Sequence, residues 1–178
     1  MVTRRTLIGS ALATTAVNVS AADKSGPVAS TRFAFEARVT VAAPLVVGEA
    51  PHGLRRVVTI TGGTFEGPRI RGRVLPGGAD WQFVRPDGVL SVEAKYTLEA
   101  SDGALIMVTN RGMRHGPPEV IQKLARGEAV DPSSYYFRTV AEFEVALDSP
   151  HAWLNRAMFI GVAERQASAA IIRFHEVL

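Results

Sequence analysis

The chain has 178 residues, a net charge of +3, 47% hydrophobic residues and no cysteine. The absence of thiols excludes cysteine nucleophiles, thiolate metal sites and disulfides, and the slight, scattered basic excess gives no footprint for nucleic acid. This length carries one domain with its own core.

The first 21 residues, MVTRRTLIGSALATTAVNVSA, read as an export signal. Arg4 and Arg5 form a charged start, a short apolar run follows, and Val19-Ser20-Ala21 is a small-residue cleavage site. Thr3-Arg4-Arg5 before apolar residues resembles a twin-arginine signal, which predicts a periplasmic or secreted protein. The apolar run contains Gly9, Ser10, Thr14 and Thr15 and is too short and polar for a membrane span, so no membrane association is expected after cleavage. Removing residues 1–21 takes two arginines and no acid, which leaves +1. Residues 22–32 read as a flexible linker and 33–178 as a single domain.

Strands follow in close succession. Residues 33–41 (FAFEARVTV) alternate, with Phe33, Phe35, Ala37, Val39 and Val41 on one face. Residues 55–61 (RRVVTIT) are mostly β-branched and end at Gly62-Gly63. Residues 69–75 place Ile70, Gly72 and Val74 opposite three arginines expected to face solvent. Further strands are predicted at 80–85, 89–98, 104–110, 135–145, 157–163 and 169–177, separated by Pro76-Gly77-Gly78, Pro86-Asp87-Gly88, Ser101-Asp102-Gly103 and Asp148-Ser149-Pro150. Gly takes the positive φ that tight hairpin turns need, and Asp caps its own turn. One helix is expected near 118–126, opened by Pro117-Pro118 and closed by Gly127, with Val120, Ile121 and Leu124 on one stripe. A short helical piece is expected at 150–156. The pattern predicts an all-β fold: a small closed antiparallel β-barrel with one short helix over a barrel end.

GGTFEGP (62–68), GRVLPGGADWQF (72–83), RPDGVLSVEAKYTLEASDGALI (85–106), YYFRT (135–139) and WLNRAMFIGV (153–162) together resemble the DUF3237 family, also called UPF0311. The resemblance spans nearly the whole chain after the signal. It implies a lipocalin-like or calycin-like barrel and no assigned reaction. One departure is Lys95, where members often carry an arginine before the tyrosine.

Polar residues on these strands are the candidate site. Asp80 follows the two glycines of PGGADWQF, where a turn-capping Asp would precede them, so it reads either as a cap or as a carboxylate lowered into a pocket. Gln82 shares its face, while Trp81 and Phe83 would pack outside, beneath the lid or at a contact in a homo-oligomer. Tyr96 brings a hydroxyl onto the apolar face of Leu90, Val92 and Ala94. In YYFRT, Tyr136 and Arg138 share a face. Arg138 inside an aromatic strand needs an anion, supplied by Asp80, Glu142, Glu144 or a ligand. Asp80, Tyr136 and Arg138 are the candidate catalytic residues; Gln82, Tyr96, Asn110, Trp153 and Asn155 are candidate ligand contacts. Asn110 also reads as a turn residue and Asn155 as a helix cap. His52, His115, His151 and His175 are isolated, so no metal site is predicted, and no cofactor motif is present. Gly72 and Ala94 on inward faces suggest lumenal space. The functional expectation is a small-molecule site in an apolar lumen: a cofactor-free lyase, isomerase or cyclase acting on an aromatic or keto compound, or a non-catalytic lipocalin-like binder of a small hydrophobic ligand.

Overall fold

The computed structural model describes residues 28–178. The signal-type segment at 1–21 and most of the expected linker lie outside the described residues. Ten strands and one helix follow: β1 (Thr31–Val41), β2 (Leu45–Ala50), β3 (Gly53–Glu66), β4 (Arg71–Val74), β5 (Ala79–Val84), β6 (Leu90–Ala100), β7 (Leu105–His115), α1 (Pro118–Ala125), β8 (Tyr136–Val145), β9 (Phe159–Arg165) and β10 (Ala169–Val177). A 3₁₀ turn occupies Ala152–Arg156.

All pairings are antiparallel, and pairing of β1 with both β10 and β3 closes the sheet into a barrel. The wall has eight positions. β1 and β2 share one position along β3, and β4 and β5 share another between β3 and β6. Pro76-Gly77-Gly78 breaks the second of these in two, as its turn chemistry predicts. Closure removes the unpaired edges that a ten-strand open sheet would expose, except along β2, which pairs with β3 alone.

Three elements differ from expectation. β2 was not anticipated. β3 does not stop at Gly62-Gly63 but runs on to Glu66. There Gly63 takes φ +137°, and a Cβ would lie 1.9 Å from the Arg38 carbonyl oxygen. The glycines bend the strand and change its phase, so that Ile60 and Phe65 both point inward. β7 likewise runs past Asn110-Arg111-Gly112 to His115. Phe33 is the remaining exception: a register shift between Phe33 and Phe35 turns it out against His175 while Ala34 and Phe35 are buried.

The interior is packed at one end only. Phe35, Phe65, Phe143, Phe159 and Phe174 meet there through centroid distances of 4.9–5.5 Å. Trp153 on the 3₁₀ turn packs against Phe159 and closes that end. At the other end α1 lays Leu124, with Ile121, across the mouth. Proline at the helix start and Gly127 at its end delimit it as the sequence predicts.

Candidate functional site

Three connected spaces run down from that mouth. The outermost, about 560 Å³, is lined by Ile121 and Leu124 of α1 and by Arg56, Arg114 and Arg165. A narrow waist of about 60 Å³ keeps the three arginines and adds Asp80, Gln82 and Phe137. The floor, about 50 Å³, shares Asp80 and Phe137 with the waist and adds Tyr96, Asn110 and Thr139 among Val39, Ile60, Val92 and Ile172. A larger concavity of about 890 Å³ lies outside the barrel between β7 and β8. Its amide, Asn155, is already committed to the backbone of Val145, and it contains no buried unpaired polar atom.

Each lumenal polar group is placed by strand alternation. Arg56 precedes Val58 and Ile60 on the inward face of β3, and Arg114 continues the inward series Ile106, Val108 and Asn110 on β7. Phe137 and Thr139 belong to the buried face of β8. Gly112, between Asn110 and Arg114, lets β8 approach: a Cβ there would lie 2.1 Å from the Arg138 carbonyl oxygen.

Asp80 is no turn cap. The β5–β6 ladder pairs Asp80 with Ala94 and Phe83 with Ser91 and opens between them. In that gap the Glu93 amide donates to Asp80 Oδ1 at 3.0 Å, and Gln82 Nε2 donates to Oδ2. Gln82 Oε1 in turn accepts from Arg56 Nε at 2.8 Å. Burial raises the Asp80 pKa above the ordinary carboxylate range, against the opposing pull of these hydrogen bonds and of Arg56 and Arg114. Burial and its two cationic neighbours, Arg56 and Arg165, bring Arg114 down to about 10. Arg56 and Arg165 are lowered for the same main reason, desolvation. Burial, with the Asp80 charge, pushes the Tyr96 hydroxyl up and keeps it protonated.

Among the described residues, four buried polar atoms find no hydrogen-bond partner: Tyr96 Oη, Asn110 Oδ1, Arg114 Nε and Thr139 Oγ1. All four belong to residues lining this lumen. Native proteins rarely leave such groups unpaired, so their convergence marks a place where a ligand or ordered water completes the bonding.

Of the residues singled out in the sequence, Asp80, Gln82, Tyr96 and Asn110 come together here. Tyr136 and Arg138 do not, which corrects the expected Asp80–Arg138 pair. Both lie on the outer face of β8, where Tyr136 stacks on His115 at 4.9 Å. Arg138 donates to the Phe137 carbonyl and lies 5.2 Å from the Tyr136 ring. The tyrosine that does turn inward is Tyr135, whose hydroxyl accepts from the Arg165 amide at 2.8 Å. Trp153 and Asn155 are at the closed end, where the Arg69 guanidinium lies 4.0 Å from the Trp153 ring centroid. Gly72 opens no space either, since a Cβ there would strike the Glu99 carbonyl oxygen at 2.0 Å; Ala94 does line the floor. Arg56, Arg114, Thr139 and Arg165 also line the lumen, and none of them stands out in the sequence. Extending the β7 alternation four residues would have found Arg114.

The family described as "Protein of unknown function (DUF3237)" matches residues 29–177. A UPF0311 protein of Rhodopseudomonas palustris is 42% identical over 152 residues, covering 85% of this chain and 99% of its own. A crystal structure of a conserved protein from that species superposes with a TM-score of 0.80 at 41% identity, covering 86% of this chain and all of the other. A hydroalkoxylation enzyme of Penicillium herquei is 32% identical over 77 residues, 43% of this chain and 51% of its own. The structure of an enzyme from that fungus shares the fold, with a TM-score of 0.64 at 22% identity over 86% of this chain and 98% of the other.

Proposed function

The chain belongs to the DUF3237 family, and we propose that its lumen is a small-molecule site performing cofactor-free acid–base rearrangement of a keto or aromatic compound in an exported protein. Asp80 carries the reading: it is the one carboxylate lining the lumen among the described residues, and its environment holds its pKa above the ordinary range. A carboxyl tuned upward exchanges protons closer to neutral pH than a solvated one. The part-length likeness to a hydroalkoxylation enzyme supports the same class of chemistry.

The step that fits is addition of a substrate hydroxyl across a C=C conjugated to a carbonyl. Ionised Asp80 takes the hydroxyl proton as the oxygen bonds to the β-carbon. Negative charge moves to the carbonyl oxygen, where Arg114 and Arg56 stabilise the enolate. Asp80 then returns the proton to the α-carbon. One C–O and one C–H bond replace an O–H bond and a π bond, nothing is oxidised, and the product is an isomer of the substrate. The reverse sequence is β-elimination. Ile121 and Leu124 exclude water over the mouth during the step.

The test begins with mass spectrometry of small molecules released from natively purified protein, followed by incubation with a panel of soluble hydroxy-enones. Products of unchanged mass and altered retention are expected, with turnover reduced by on the order of 10²–10⁴-fold in Asp80→Asn. A retained ligand released unchanged, with no hydroxy-enone converted, would favour the carrier.

A further inference from the structure

We propose that the lumen is built for one ligand class and one orientation: a small organic monoanion with a hydroxyl at its far end, its carboxylate or enolate against Arg56, Arg114 and Arg165 and its hydroxyl on the floor among Tyr96, Asn110 and Thr139. The proposal rests on the reading of the lumen as the ligand site and names what enters it.

Charge gives the first half. Three guanidinium groups line the waist and mouth against one carboxylate, Asp80. A fourth arginine at the mouth, Arg126, is already paired with Glu128 on the surface. Arg114 is 8% exposed, its Nε is unpaired, and its guanidinium is 5.7 Å from the Phe137 ring centroid rather than against an acid. Arg165 is steadied by the carbonyls of Ala167 and Ala169, and Arg56 by Gln82, so both are held in place without being neutralised. A like-charged trio of one buried arginine, Arg114, and two half-buried ones, Arg56 and Arg165, is costly unless an anion completes it. Arginine's planar fork suits a carboxylate or enolate oxygen. A cationic ligand would add a fourth positive charge, and a neutral hydrocarbon would leave the trio uncompensated.

The floor gives the second half. Its walls are Val39, Ile60, Val92, Ala94, Ile172 and Phe137, which suit a flat apolar body. Asn110 Oδ1 only accepts, while the hydroxyls of Tyr96 and Thr139 donate or accept. A ligand hydroxyl supplies the donor Asn110 needs and an acceptor for one of its neighbours. A ligand ending in a methyl group would bury all three atoms unsatisfied. The depth order is fixed because Arg114 lines the mouth and waist, while Tyr96, Asn110 and Thr139 line only the floor.

The experiment is calorimetric titration of the folded protein with 4-hydroxybenzoate, benzoate and 4-hydroxybenzyl alcohol. 4-Hydroxybenzoate is expected to bind more tightly than either comparator by about tenfold or more. Arg114→Met should remove the preference for the acid over the alcohol. Arg165→Gln, at a less buried position, should weaken the acid in the same direction and serves should Arg114→Met fail to fold. Asn110→Leu should erase the advantage of 4-hydroxybenzoate over benzoate. Equal affinity for the acid and the alcohol, or no binding of 4-hydroxybenzoate at about 1 mM by a protein with intact circular dichroism, would overturn the proposal. Anion binding without turnover of any hydroxy-enone leaves it standing and overturns the catalytic reading. Turnover of neutral enones with no anion binding does the reverse.

Discussion

Asp80 shows how one side chain serves structure and chemistry together. It replaces a missing ladder acceptor for Glu93 and ends the chain Arg56–Gln82–Asp80. Its raised pKa has a stability consequence. Because the native protein holds this proton more tightly than the unfolded chain, the contribution of Asp80 is greatest below the unfolded value, about 3.9, and is lost as pH rises through the native value. Denaturant melts should therefore show wild type gaining on Asp80→Asn as pH falls from 7 toward 4; a difference constant with pH would refute the shift. Arg114 makes the opposite prediction for its own removal. Its charge is desolvated beside Arg56 and Arg165, so Arg114→Met should leave the unliganded protein as stable as wild type or more stable, by about 1 kcal/mol or more, while anion binding is lost. Site residues that cost stability are the usual exchange for function.

At the scale of elements, α1 and β7 decide whether there is a site at all. The helix covers the mouth with few deeply buried side chains; Leu124 is its one buried residue. Amides of residues 120–126 should exchange with deuterium faster than those of β6, and should slow when ligand fills the lumen. Equal protection in the free protein would make α1 a fixed wall. β7 depends on Gly112. A Cβ there meets the Arg138 carbonyl oxygen and the Thr139 Cα at 2.1 and 2.7 Å, so Gly112→Ala forces β7 from β8 beside Asn110 and Arg114. Its thermal melt should show a loss of about 1–3 kcal/mol or more.

For the whole molecule, the barrel is filled at one end and empty at the other, and the phenylalanine cluster explains why. Five aromatic rings supply the packing that stabilises the closed end, which leaves the waist to carry charge. Export remains a prediction of the segment outside the described residues. Changing Arg4 and Arg5 to lysine should leave unprocessed precursor in the cytoplasm, read by fractionation and immunoblot; continued processing would indicate the general secretory route.

The all-β class, the hairpin turns at Pro-Asp-Gly and Ser-Asp-Gly, the position of α1 and the inward face of β6 were all legible in the sequence, because each depends on alternation or turn chemistry within a few residues. Strand phase was legible only where one face was plainly apolar. In β8, Ala141, Phe143 and Val145 against Glu142 and Glu144 fix the phase, yet Tyr135, Tyr136 and Phe137 are aromatic on both faces, and the wrong one was assigned at the end that meets the site. The arginine cluster was legible nowhere locally. Arg56, Arg114 and Arg165 come from β3, β7 and β9, and each alone looks like a solvated charge. Barrel closure brings them together around Asp80, because closing the sheet turns one face of every strand toward a common axis, and that convergence is a property of the tertiary structure alone.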